Sequence, residues 1–180
     1  MFYLGIDPGK DGGFCLLNSE GQIIETMATP PHKDKRICHE GVERFMAKVI
    51  RHAGDRDNVT VYTERVHAVF GNSATSMFTF GFHTGYLFAL THSFLGRDVV
   101  EIAPIKWQKF LTGYADINEV YKNELTAKGN KKRDTKATAA KAVSKLYKGF
   151  DFRKNKACRI PHDGIVDATG IALYALHQHN

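Results

Sequence analysis

The sequence predicts an α/β protein built on a mixed five-stranded sheet, with the first three strands antiparallel and helices on its flanks. Three short strand-like runs joined by tight turns open the chain, a pattern that is typical of an antiparallel meander. Two further strand-like runs then alternate with helical segments, which gives the order βββαβαβα. A meander followed by alternating strands and helices indicates a mixed sheet.

The first three strands are marked by apolar runs and by the turn residues that end them. Phe2–Asp7 is a buried strand that stops at an Asp-Pro-Gly turn. A pair of glycines leads into the second strand, Phe14–Leu17. An Asn-Ser-Glu-Gly turn then precedes the third, Gln22–Met27.

The later elements are predicted from changes in the spacing of apolar residues. From Glu40 the spacing becomes helical. The elements that follow are a strand at Asn58–Val66, a helix at Ser73–Phe94, a strand at Val99–Ile102, and helices at Ile105–Leu111, Thr135–Tyr147 and Asp163–Leu176. Residues 112–135 are predicted to be an exposed basic loop insertion with some helix, and residues 148–160 a basic loop.

Length and composition limit the class of protein. The 180 residues, 43% of them hydrophobic, suffice for one domain over 1–180 with a sizeable core. No apolar run approaches the ~20 residues that a bilayer requires, so no membrane contact is expected. Cys15, Cys38 and Cys158 are far apart and predict free thiols in a reducing cytosol. With no leader pattern, we expect a cytoplasmic protein, and its net charge of +6 favours an anionic partner.

Four carboxylates stand where predicted elements begin or end. Asp7 ends the first strand, Glu64 lies in the fourth, and Asp163 and Asp167 are one helical turn apart. If the first and fourth strands are neighbours, the four converge, and a divalent cation would relieve their repulsion. Oxygen ligands without paired cysteine or histidine favour Mg²⁺, with Mn²⁺ as a substitute. Two ions roughly 3.5–4 Å apart can clamp the attacking and leaving oxygens of a phosphodiester.

Each acid also has a purely structural explanation. Asp7 fits turn chemistry in Asp-Pro-Gly, and Glu64 fits a solvent-facing strand position or an ion pair with Arg65. Asp163 fits a helix N-cap, and Asp167 fits a first-turn acid that interacts with the helix dipole. The order of all four along the chain, rather than any one of them, favours a metal centre.

The motifs that contain these acids resemble those of the RuvC-like Holliday junction resolvases of the RNase H-like superfamily. The matching pieces are Gly-Ile-Asp-Pro-Gly at 5–9, Glu-Arg-Val at 64–66 and Asp-Gly-x-x-Asp-Ala at 163–168. Their order and spacing fit across nearly the whole chain. The last motif and the segment around Pro104 and Trp107 are more similar to the phage branch than to the bacterial enzymes. The expected setting is therefore a bacterial or phage-infected cell.

The resemblance implies a homodimeric endonuclease that makes paired symmetric nicks in four-way DNA junctions, with two Mg²⁺ per site and no nucleotide cofactor. It maps the four acids onto the family's catalytic and metal-binding residues. Bacterial members place an acid or histidine three residues before the last aspartate, where this chain has Gly164. Asp163 is the expected substitute, with His162 as the alternative.

Basic residues in the second half of the chain predict phosphate contacts that weaken with salt. The residues expected to bind DNA are Lys106, Lys109, Lys131, Lys132, Arg133, Lys136, Arg153 and Lys156. For Lys141, Lys145 and Lys148 a solvated helix face is the favoured interpretation. In the enzymes that this chain resembles, the loop after Glu64 enters the junction core. Phe70 is the first candidate to stack on bases there, and His67 is the second. The alternative is that Phe70 is a core residue that caps the next helix.

The helix predicted at Ser73–Phe94 is apolar on more than one face, and Gly81 and Gly85 permit close backbone approach. We expect one face to cover the sheet and another to contact a second subunit, the alternative being burial within one larger core.

Other functions fit parts of the pattern. They are a broader debranching nuclease acting on forks and flaps, a catalytically inactive branched-DNA-binding module, and a plain RNase H-type ribonuclease. An actin- or hexokinase-like phosphotransferase shares the Gly-Ile-Asp-x-Gly opening. That fold needs a duplicated domain and a second glycine-rich loop, and neither is visible in this sequence.

Overall fold

A five-stranded mixed sheet forms the centre of the computed structural model, which describes residues 1–31, 38–65, 73–126 and 129–179. The strand order is β3-β2-β1-β4-β5; β2 pairs antiparallel with both β1 and β3, whereas β4 pairs parallel with both β1 and β5. The strands are β1 Phe2–Asp7, β2 Gly13–Asn18, β3 Ile23–Ala28, β4 Val59–Glu64 and β5 Val100–Ile102. The predicted fold class and the neighbouring positions of the first and fourth strands are confirmed.

Helices cover both faces of the sheet. They are α1 His39–Ala53, α2 Ala74–Leu95, α3 Pro104–Tyr114, α4 Thr135–Leu146 and α5 Asp163–His179. Alternate residues of β1 point to opposite faces, so Tyr3 packs in a core with α3, α4 and α5, whereas Leu4 and Ile6 pack in a second core with α1 and α2. Both faces are therefore apolar, which is why β1 is a nearly continuous apolar run.

Helix α5 lies directly on the backbone of β1 and β2. A Cβ at Gly5 would collide with the main chain of Ala168 and Ala172, and a Cβ at Gly13 would collide with that of Gly164. Side chains larger than hydrogen are excluded at these positions, since the colliding atoms belong to the backbone. The start of α5 is thereby fixed against the ends of the strands.

The segment 112–135 differs from its prediction as a loop with some helix. Helix α3 continues to Tyr114, and strands β6 Tyr121–Leu125 and β7 Lys131–Arg133 then form an antiparallel hairpin. All five residues of β6 are exposed. A strand with no buried face carries no alternating apolar signal, so the pattern of the sequence could not mark it.

Helix α2 begins after Ser73, whose side chain caps its N-terminus. Gly96, in the left-handed conformation, follows its last residue and caps its C-terminus. One of its faces is covered through His83, Leu87 and Leu95. On another face Phe78 is 76% exposed and Phe82 is 52% exposed. No helix in the described ranges is both long and apolar enough to cross a bilayer.

Candidate active site

Asp7 and Glu64 end two neighbouring parallel strands. Ile6 pairs with Thr63 across β1 and β4, so the two acids follow at equivalent positions of the same sheet edge. The Thr63 hydroxyl donates to the Ile6 carbonyl at 3.0 Å and ties the strands together just before this edge. The topology thus places two carboxylates side by side where the strands end.

The first turn of α5 adds two more carboxylates to this edge. Asp163 and Asp167 are four residues apart and therefore lie on one side of the helix. Asp163 is exposed, whereas Asp7 and Asp167 are half-buried. Both aspartates of α5 and Asp7 line one cleft of about 520 Å³. The structure therefore places three of the four predicted acids in one cleft, and Glu64 follows β4 beside Asp7 at the same sheet edge.

The crowding and burial of these carboxylates raise the pKa of two of them. Burial raises the pKa of Asp167 to about 7, and Glu64 and Asp163 add to the shift. Burial also raises the pKa of Asp7 well above its usual range, with further contributions from Asp167 and Glu64. Since each carboxylate disfavours the ionised form of its neighbours, the cluster holds less than its full negative charge without a cation.

Lys136, in the first turn of α4, supplies one positive charge to this cluster. Its Nζ donates to Asp163 Oδ2 at 2.6 Å, and its charge lowers the pKa of both Asp7 and Asp167. The hydrogen bond to Asp163 in turn raises the pKa of Lys136. The sequence predicted this lysine as a DNA contact, whereas the structure gives it a position among the acids.

Glu64 is held by a buried tryptophan. The indole Nε1 of Trp107 donates to Glu64 Oε2 at 2.8 Å, and Trp107 is only 1% exposed. A Cβ at Gly170 would lie 2.9 Å from the Trp107 ring, so the glycine of α5 provides the space for the indole. The ring is therefore fixed by packing, and its N–H fixes one carboxylate oxygen.

The position of Gly164 explains the departure from the bacterial motif. A Cβ there would collide with the backbone of Gly12, the residue before β2, so no ligating side chain fits. His162 lines the same cleft, and its Nδ1 is buried without a hydrogen-bond partner among the described residues. Burial, and after it the charge of Lys154, lowers the pKa of His162. Both predicted alternatives, Asp163 and His162, lie at the cleft.

The acids of the cleft offer the ligand chemistry of a hard divalent cation but not yet its geometry. The oxygen-only chemistry and the unbalanced charge fit Mg²⁺ or Mn²⁺. In the described ranges, however, no three Asp, Glu, His or Cys side chains converge closely enough to hold one ion. Two of the four acids have other partners, since Asp163 accepts from Lys136 and Glu64 accepts from Trp107. Bound ions would therefore require side-chain rearrangement, with Asp163 exchanging the lysine for metal.

The other predicted DNA contacts fall into two groups. Lys132 pairs with Glu124 at 3.3 Å, and Arg133 pairs with Glu119 at 3.1 Å, both within or beside the β6–β7 hairpin. Arg153 pairs with Asp151 at 2.8 Å. The second group, which forms no ion pair with any described residue, consists of Lys106, Lys109, Lys131 and Lys156. Phe70 and His67 lie outside the described residues.

Sequence reasoning gave no role in the site to several residues of the cleft and its surroundings. Lys10 and Phe80 line the cleft, and Trp107 contacts Glu64. Lys10 directly follows the Gly-Ile-Asp-Pro-Gly motif, and Trp107 is the only tryptophan of the chain. Those two signals were available in the sequence. Phe80 carries no such signal, since it is one of many aromatic residues in α2.

No family model and no curated protein matches this chain. Among solved structures it is similar to T. thermophilus RuvC in complex with Holliday junction substrate. The TM-score is 0.55 at 15% sequence identity, and the match covers 99% of this chain and 96% of that chain. The chain therefore has a RuvC-like, RNase H-like fold over its length.

Proposed function

We propose that the chain is a metal-dependent, structure-selective DNA endonuclease that resolves four-way junctions by paired symmetric nicks. The observation that carries the proposal is the meeting of Asp7, Glu64, Asp163 and Asp167 at one edge of a RuvC-like sheet. The solved structure with this fold contains a Holliday junction substrate, which supports branched DNA as the substrate class. Phosphate groups would be attracted by Lys10 and Lys154 at the rim of the cleft.

In this proposal the four acids hold two Mg²⁺ ions, with Mn²⁺ as a substitute. Bound ions supply an activated water and stabilise the charge that develops on the departing 3′-oxygen. The protein would contribute the backbone positions from which the acid side chains reach the ions. Trp107 orients Glu64 through its indole N–H. Lys136 balances part of the negative charge while the ions are absent.

We further propose that the chain acts as a homodimer through the exposed face of α2. Phe78 and Phe82 are four residues apart, and a Cβ at Gly81 or Gly85 would meet nothing within 4 Å. A two-fold dimer would present two sites to a two-fold symmetric junction. Phe82→Glu should convert a dimer to a monomer in light scattering after size exclusion. Leu125→Glu, on the exposed hairpin, is the matched control and should leave the mass unchanged.

The decisive experiment is cleavage of a labelled four-way junction beside the equivalent linear duplex, fork, flap and RNA–DNA hybrid. Each substrate is incubated with Mg²⁺, with Mn²⁺ and with EDTA. Metal-dependent paired nicks in the junction alone support the resolvase. If forks and flaps are cut as well as the junction, the enzyme is a general debranching nuclease. If only the RNA–DNA hybrid is cut, the enzyme is a ribonuclease. Binding without cutting in either metal favours an inactive binding module.

Asp7→Asn provides the matched control for that assay. The variant keeps the size of the side chain and removes a proposed ligand, so cleavage should fall by at least about 10³-fold. Junction binding should be unchanged or tighter, because one negative charge near the backbone is lost. Normal cutting by this variant would refute the role of the acids.

A further inference from the structure

A second groove lies between α3 and the C-terminal half of α5, and none of its lining residues lines the acidic cleft. Its volume is about 620 Å³, and it is lined by Lys106, Lys109, Phe110, Tyr114, Tyr174 and His177. Its composition is basic and aromatic, and no carboxylate lines it. These residues belong to two regular helices that pack through Trp107, Leu111 and Gly170, so the groove has a rigid frame.

Three rings in the groove are stacked nearly parallel. The ring of Phe110 lies 5.3 Å from that of Tyr114 at an interplanar angle of 28°, and 4.8 Å from that of His177 at 29°. Tyr174 packs edge-on against Phe110 at 5.6 Å. Tyr114 is 55% exposed, so this stack ends at a ring that is open to solvent. An exposed, oriented ring provides a stacking surface for another flat group.

The two lysines of the groove are free of acidic partners in the part of the chain that the structure describes. Helix α3 contains no aspartate or glutamate, and none occurs from Ala172 to His179. Lys132, Arg133, Lys136 and Arg153 contrast with them, because each forms an ion pair with a neighbouring acid. The charge of Lys106 and Lys109 is therefore available to an external anion.

The groove begins close to the acidic cleft. Lys106 precedes Trp107, whose indole reaches Glu64. From Trp107 to Tyr114 the helix rises about 10 Å, at about 1.5 Å per residue. Lys106 therefore lies near the end of α3 that is closer to Glu64, and Tyr114 lies at its other end.

We infer that this groove binds an unpaired strand of DNA next to the cleavage site, with the lysines on phosphates and a base stacked on Tyr114. The inference rests on the proposed nuclease function. Stacking on an exposed ring requires a base with a free face, which a single strand offers and an intact duplex hides. A second copy of the chain fits less well, because a symmetric contact would bring lysines against lysines.

Gly113 allows a test that leaves the fold intact. It lies in α3 and lines the groove, and a Cβ there would meet nothing within 4 Å. Gly113→Glu places a carboxylate beside the lysines, while Gly113→Gln has nearly the same size and helix propensity without the charge. Binding of a fluorescein-labelled oligothymidine should weaken about fivefold or more in the first variant relative to the second. Equal affinities of the two variants would overturn the inference.

Tyr114→Ala and the double variant Lys106→Gln/Lys109→Gln test the two contacts separately. Loss of the tyrosine should weaken oligothymidine binding about fivefold or more, with an unchanged salt slope. Loss of both lysines should reduce the slope of log K against log salt by about 1.4, at about 0.7 per single-strand contact. An unchanged slope, or an unchanged affinity after removal of the ring, would contradict the assignment.

The two proposals fail in different ways. Suppose that the wild type cuts junctions, and that Gly113→Glu and Gly113→Gln bind oligothymidine equally and cut junctions equally. The groove inference is then wrong and the nuclease proposal stands. If instead the wild type cuts no substrate but these two variants differ in oligothymidine binding, the nuclease proposal fails and the groove remains a DNA site. If Gly113→Glu alters the mass in light scattering without altering DNA binding, the groove is a protein interface instead.

Discussion

The acidic centre and the β6–β7 hairpin hold charged groups in opposite ways. In the centre, Asp7 and Glu64 end adjacent strands, and Asp163 and Asp167 start a helix that rests on glycine backbone. Burial, and after it the charges of neighbouring carboxylates, raises the pKa of Asp7 and of Asp167. In the hairpin, Lys132 and Arg133 have acidic partners at 3.3 and 3.1 Å, and β6 is wholly exposed. Each of these two hairpin cations has its own acidic partner, whereas the four acids of the centre share one paired cation, Lys136.

This difference between the hairpin and the acidic centre shows which of the two needs tight packing to keep its charged groups in place. Exposed ion pairs such as those of the hairpin contribute about 0–1 kcal/mol each and need no rigid frame. Half-buried carboxylates repel one another, so only surrounding packing keeps them together. Glycines that let α5 contact the strands supply that packing. Unbalanced charge held by tight packing is typical of functional sites.

The largest expected effect comes from breaking the glycine contact. Gly164→Ala forces a Cβ into the backbone of Gly12, so the free energy of unfolding should fall by about 3 kcal/mol or more. Urea unfolding followed by circular dichroism measures this change. Gly113→Ala, on an open helix position, is the control and should stabilise the protein by up to about 1 kcal/mol. Similar effects of the two substitutions would contradict close packing at α5.

Removing one charge from the centre should stabilise the metal-free protein. Asp167 has a folded pKa of about 7, against about 3.9 unfolded, so its ionisation opposes folding as the pH rises between these values. Asp167→Asn should therefore raise the melting temperature at pH 8 by roughly 4 °C or more. The gain should shrink towards pH 4, where the wild-type acid is protonated in the folded state and about half protonated in the unfolded state.

Scanning calorimetry in EDTA between pH 4 and 8 measures this dependence. Asp163→Asn is a useful comparison, because Asp163 is exposed and paired with Lys136. It should stabilise less than Asp167→Asn or destabilise. If the gain in melting temperature of Asp167→Asn stayed constant with pH, charge repulsion would not limit the stability of the centre.

Trp107→Phe tests whether the centre depends on an oriented Glu64. The substitution keeps a buried ring and removes the N–H that donates to Glu64. A hydrogen bond to a charged group contributes roughly 1.5–3 kcal/mol, so the rate of junction nicking should fall about tenfold or more. The dissociation constant for the junction should change little. A lower melting temperature with an unchanged nicking rate would assign Trp107 to packing alone.

The hairpin should give the smallest effect. Lys131→Ala should lower the salt slope of junction binding by about 0.9, the value expected for one duplex phosphate contact. Lys132→Ala and Arg133→Ala should lower it less, because both residues already have acidic partners. Lys145→Ala, whose side chain pairs with Asp116, is the control. Anisotropy titrations over a range of salt concentrations measure these slopes. If the wild type and all four variants gave equal slopes, the hairpin would not contact DNA.

Much of the fold was predictable because its elements have local signals. The apolar run of β1, the Asp-Pro-Gly turn and the helical spacing after Glu40 each occupy only a few residues. The predicted strand at Asn58–Val66 ends at Glu64, and the helix at Ser73–Phe94 matches α2 within one residue at each end. The hairpin was missed because exposed strands lack such a signal.

The amino-acid sequence alone predicts which acids stand at the ends of elements. The patterns of β1 and β4 also predict the sheet edge that these acids share. The residues that surround the acids, in contrast, depend on how distant elements pack. Lys136 lies 27 residues from its partner Asp163, and Trp107 lies 43 residues from its partner Glu64. Gly164 has a role only because β2 passes beside it. Periodicity reports which face of an element is buried, whereas packing between distant elements selects which side chains meet.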